Sequence, residues 1–128
     1  VEKTLERLSN CDYISFDEKY IKLVMLSYLM LSRVYYVKSE YEVEKGYIDI
    51  ALLKRSGVEP NYEAIIELKY IKKSEYQAKG EELVNKKLEA AKEQLLDYKT
   101  ADELSNKDNL KKFVLVFAGT KCVEKMSL

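Results

Sequence analysis

Asp49, Glu67 and Lys69 are charged residues set inside two runs that are otherwise rich in Ile, Leu, Ala and Tyr, GYIDIALLK and EAIIELKYI. A charge in such a place is costly unless it is paired or bound to a metal. Two carboxylates can hold a hard divalent cation through oxygen ligands, and a lysine two positions after one of them projects from the same face of a strand. Its ammonium can then orient a water or stabilise charge developing on a phosphate. The plainer alternative is a cross-strand ion pair of Asp49 with Lys69 in an ordinary hairpin.

For either reading the chain must bring these residues together. Residues 47–54 and 63–71 read as neighbouring strands, because Ser56, Gly57, Pro60 and Asn61 between them are turn formers that interrupt both patterns. Alternation puts Asp49 on one face with Tyr47 and Ala51, and Glu67 on one face with Ile65, Lys69 and Ile71. Residues 34–43 also alternate, Tyr35, Val37, Tyr41 and Val43 against Lys38, Glu40 and Glu42, and predict a first strand at the outside of a meander. Glu40 there could assist a second metal or simply face solvent.

Upstream, Ser15-Phe16-Asp17-Glu18 matches a capping box and predicts a helix over residues 16–33. Its interior is apolar nearly all round, which implies burial against a sheet. Leu5 and Leu8 among charges suggest a short helix or the end of a linker within residues 1–14. Downstream, residues 72–80 are polar, with Lys72, Lys73 and Lys79 able to grip backbone phosphates or to form a solvated face. A long helix is expected from about residue 80 to 99, since Val84, Leu88, Ala91, Leu95 and Tyr98 recur as one buried stripe. After a loop over 100–109, the apolar run 113–118 suits a strand buried on both faces, parallel to its neighbour after the helical crossover.

A chain of 128 residues with 47% hydrophobic and 34% charged residues reads as one folded domain. Its net charge is zero, so no global positive field draws it to nucleic acid and any such binding must use local patches. The absence of histidine excludes histidine-ligated zinc and histidine-based nucleophilic catalysis. Cys11 and Cys122 have neither metal-ligand spacing nor a disulfide framework; they read as reduced, packed thiols, from which an intracellular, cytoplasmic location is expected. The longest apolar run, 21–31, contains Lys22 and is too short to cross a bilayer. Beginning at Val1 without methionine, the chain reads as a domain excised from something longer.

Asp49, a variable spacer and then Glu67-Leu68-Lys69 on the next strand resembles the PD-(D/E)XK nuclease superfamily, with Ile48 where the signature has proline. The order helix, three strands, helix, strand matches the core order of that fold, so the resemblance implies an α/β, restriction-endonuclease-like three-layer core (αβββαβ) with a central mixed sheet flanked by helices. It implies Asp49, Glu67 and the backbone carbonyl of Leu68 as ligands of Mg2+ or Mn2+, and Lys69 as the residue that positions the attacking water on DNA. Gln94 and Tyr98, four apart in EQLLDY, match the Gln-x-x-x-Tyr motif of the exonuclease-like branch, which lies beside the active site. Glu18 stands where that branch often has a first-helix glutamate contributing to the metal site. The whole pattern is similar to the nuclease-like domain that commonly follows an AAA-type ATPase-like domain in bacterial proteins. Members of that group often carry Gly-Arg before the strand acid, where this chain has Gly46-Tyr47-Ile48. The implied function is metal-dependent hydrolysis of DNA; a binding or regulatory module coupled to an ATPase domain, and a structural dimerisation domain, are the other readings.

Overall fold

The computed structural model describes residues 1–8, 16–44, 46–98, 104 and 107–128. Alternating apolar residues build the strands β1 (Tyr35–Val43), β2 (Gly46–Lys54) and β3 (Glu63–Ile71), preceded by a single turn, α1 (Glu2–Leu5), and by α2 (Glu18–Leu29). After β3 come α3 (Lys73–Tyr98), β4 (Leu110–Ala118) and β5 (Lys121–Ser127). The five strands form one sheet in sequence order, antiparallel except for β3 and β4, which pair in parallel along nine residues from Glu63–Leu110 to Ile71–Ala118. A parallel pair needs a crossover, and α3 supplies it.

The two faces of the sheet carry different helices. Ala51, Ile65, Val114 and Val116 pack with the α3 stripe of Val84, Leu88, Ala91, Leu95 and Tyr98. Ile50, Ile66, Leu68 and Phe117 point the other way and pack with Ile21, Met25 and Leu26 of α2 and with Leu5 of α1. This is an α/β fold with a five-stranded mixed sheet and helices on both faces, consistent with a restriction-endonuclease-like core. Fully burying one such aliphatic side chain contributes about 1.5–3 kcal/mol, so both layers are firmly held.

Several elements differ from the sequence expectation, each for a local reason. Helix α2 begins at Glu18, with Asp17 as its cap: the Asp17 carboxylate accepts from the Lys19 amide at 2.9 Å. Ser15 of the expected capping box lies outside the described residues. The helix ends at Leu29 rather than residue 33, and only Ile21, Met25 and Leu26 are buried, whereas Leu23, Tyr28, Met30 and Leu31 are exposed. Helix α3 starts at Lys73, not near Gly80; the expected start coincides with a break in helical geometry at Lys79 (φ −142°, ψ 34°). Strand β4 begins three residues earlier than expected, and within the expected loop Leu104 is buried. Strand β5 was not expected: it is a half-exposed edge strand whose mixed composition conceals it, although the Gly119-Thr120 turn after an apolar strand is a hairpin signal. Cys122 on β5 is a free, half-buried thiol, and burial raises its pKa; Cys11 lies outside the described residues.

Candidate active site

The ladder between β2 and β3 covers only Ile50–Ile66, Ala51–Ile65 and Leu52–Ala64. The next pair in that register is Asp49 with Glu67, and there the strands part. An Asp49 carboxylate oxygen enters the gap and accepts the Leu68 backbone N–H at 2.8 Å, replacing the carbonyl that β2 would have offered had the ladder continued. Glu67 is 2% exposed, and its Oε1 has no hydrogen-bond partner. Lys69 Nζ lies 3.8 Å from the other Glu67 oxygen and donates to Gln94 Oε1 at 2.9 Å. Tyr98 is buried and its hydroxyl donates to the Tyr47 carbonyl at 2.9 Å. The trio on the strands and the pair on α3 thus converge at the splay of β2 from β3.

Gly46 makes room for this arrangement. A Cβ there would stand 3.3 Å from the Tyr98 hydroxyl, and its φ of +149° is one that other residues rarely adopt. Tyr47 is exposed and contributes its carbonyl. Glu40 falls between the pairs Ser39–Ile50 and Tyr41–Ile48, hence opposite Asp49, with φ 50°. Its carboxylate is exposed and ion-paired with Lys22 of α2. Lys72, Lys73 and Lys79 are exposed.

The electrostatics follow from burial beside like charge. Burial, then the Asp49 carboxylate, push Glu67 from an ordinary 4.5 up to about 8 against the opposing pull of Lys69. Glu18 is also raised, by burial and then by Asp49, with the ammonium groups of Lys69, Lys22 and Lys87 opposing. The Tyr98 hydroxyl is raised by burial and by the Glu67 and Asp49 charges. Glu18 therefore shares the field of the strand carboxylates.

Two carboxylates, one with a buried oxygen that nothing satisfies, are hard oxygen donors suited to a divalent cation. No group of three or more His, Cys, Asp or Glu side chains is gathered to hold a metal among the described residues. Leu68 offers only its backbone, since its side chain is buried against the α2 layer.

A family model described as the PD-(D/E)XK nuclease superfamily matches residues 16–126. The chain belongs to this superfamily. Its members generally use divalent metals, and the matched span includes every residue of the site just described. No curated protein and no solved structure matches the chain. No helix among the described residues is long and apolar enough to cross a membrane.

The raised Glu67 gives a pH signature for the metal-free protein. A carboxyl that titrates near 8 when folded and near 4.5 when unfolded binds its proton more tightly in the folded state, so its favourable contribution is complete below 4.5 and lost as pH rises through 8. Stability measured by urea unfolding in EDTA should fall across this window by up to about 1.4 kcal/mol per pH unit. Glu67→Gln should flatten that decline; an unchanged slope would show that Glu67 is ionised throughout.

Proposed function

We propose that this domain hydrolyses phosphodiester bonds of DNA with Mg2+ or Mn2+, and that Asp49, Glu67 and the Leu68 carbonyl hold the ion. The observation that carries this reading is the buried, unsatisfied Glu67 oxygen at the point where Asp49 parts the strands, with the Lys69 ammonium beside it. A divalent cation there would neutralise phosphate charge and make a water acidic enough to attack near neutral pH. Lys69, held by Gln94, orients that water and stabilises the charge of the transition state. Tyr98, anchored on the Tyr47 carbonyl, fixes the wall against which Gln94 and Lys69 are set. A nuclease assay of the purified protein on single- and double-stranded DNA with Mg2+, Mn2+ or EDTA is the direct test: cleavage that requires the metal is expected. Its absence under all these conditions would refute the reading.

In this reading Glu18, at the start of α2, contributes to the metal site alongside Asp49 and Glu67. Asp17, not Glu18, caps the helix, so Glu18→Gln should leave metal-free stability nearly unchanged. Metal affinity should weaken by about tenfold, the scale of losing an outer partner. An unchanged affinity by calorimetry would leave Glu18 a helix residue only.

Zero net charge and Tyr47 in the place of arginine favour a second reading, a weakly active or inactive nucleic-acid-binding or regulatory module. In both readings the domain works beside an AAA-type ATPase-like domain in a longer chain, in the cytoplasm. The free Cys122 thiol is compatible with that setting.

A further inference from the structure

A second concavity lies at the C-terminal ends of β3 and β4 and shares no lining residue with the site above. It has a volume of about 930 Å³, within the usual range of small-molecule pockets, and Phe16, Tyr70, Tyr76 and Lys73 line it. Phe16 and Tyr70 form its aromatic floor, their rings 5.6 Å apart and tilted by 60°. Tyr70 follows Lys69 on β3 and so points to the opposite face of the sheet, where it packs with Phe16 in the α2 layer.

The walls are shaped around missing side chains. A Cβ on Gly80 would stand 3.2 Å from the Tyr76 ring, so the glycine at the break in α3 leaves the space in which that ring lies. At the opposite wall the Lys73 stem packs over Gly119, at 3.6 Å from where a Cβ would be. Lys73 forms no ion pair among the described residues. Lys121, also in the wall, is already paired with Glu6, the one acidic residue there among the described residues.

Aromatic faces beside an unpaired lysine are what an unstacked base and its phosphate require. We propose that this cavity receives an unpaired nucleotide of the DNA substrate, with Tyr76 and Tyr70 against the base and Lys73 on a backbone phosphate. A base inside a duplex has both faces covered by its neighbours and cannot enter. The proposal rests on the nuclease reading for its choice of DNA, and it makes that reading more specific: the preferred substrate has a single-stranded segment.

The test is fluorescence anisotropy in EDTA, where no metal-dependent cleavage interferes, with a fluorescein-labelled oligothymidine and a blunt duplex of the same length as probes. Wild type should bind the single strand more tightly than the duplex. Tyr76→Ala should weaken single-strand binding by roughly tenfold, the scale of one lost stacking contact, with duplex binding unchanged. Lys73→Gln should lower the salt dependence of single-strand binding by about 0.7 in log–log slope, the effect of one phosphate contact. Gly80→Ala touches no nucleic acid and replaces a poor helix former with a good one, yet by crowding Tyr76 it should weaken the single strand in the same direction. Failure of wild type to bind the single strand, or wild-type binding by Tyr76→Ala and Lys73→Gln, would overturn the subsite. Selective binding without any metal-dependent cleavage would overturn the nuclease reading and leave the subsite standing; cleavage with binding indifferent to these variants would do the reverse.

Discussion

Lys69→Met is expected to retain the fold and metal binding while losing a hundredfold or more of metal-dependent DNA cleavage. The order of magnitude is that of removing one preorganised electrostatic group from a site where charge develops. Methionine keeps the apolar stem that packs along β3, so the comparison isolates the ammonium. In the protein that ammonium is held by Gln94 at 2.9 Å and stands 3.8 Å from Glu67, and neither proposed strand ligand is removed by the change. Single-turnover cleavage of a labelled DNA at saturating Mn2+ is the measurement. Undiminished cleavage by the variant would assign the activity to another site or to a contaminating enzyme.

Asp49→Asn is expected to abolish most of the thermal stabilisation that Mg2+ or Mn2+ confers. In the metal-free protein burial and the Asp49 charge keep a proton on Glu67, and an ion that binds the folded state alone displaces that proton and takes both carboxylates. At a concentration about a hundred times Kd this linkage is worth about 2.7 kcal/mol, or roughly 10 °C in a domain of this size. Asparagine can still accept the Leu68 amide, so the local backbone should survive and the loss can be read as a loss of metal. Equal metal-induced shifts in Tm for wild type and variant, followed by calorimetry or circular dichroism, would refute Asp49 and Glu67 as the ligand pair.

Much of this architecture could be read from residue patterns because those patterns are local. The hairpin carrying Asp49 and Glu67-Leu68-Lys69 is marked by turn formers between two apolar runs, and the α3 stripe from Val84 to Tyr98 by its helical spacing. The parallel pairing of β3 with β4 follows from the long helix between them. Periodicity likewise predicts that Lys69 and Glu67 share a strand face, and the spacing of four sets Gln94 and Tyr98 on one side of α3.

What the amino-acid sequence by itself determined, then, was the order of elements and the face on which each side chain lies, because both depend on residues a few positions apart. Only the tertiary structure decided where the β2–β3 ladder stops, and hence that Asp49 replaces a backbone acceptor and Glu67 keeps an orphaned oxygen. Register depends on the strand opposite, which no spacing within one strand encodes. Packing of α2 against the sheet likewise decided that Glu18 enters the carboxylate field while Leu23 and Tyr28, equally apolar neighbours of the buried Ile21 and Met25, face outward. A helix can turn only part of its circumference toward a sheet, so an all-round apolar pattern leaves the buried side to be chosen by the contacts it meets.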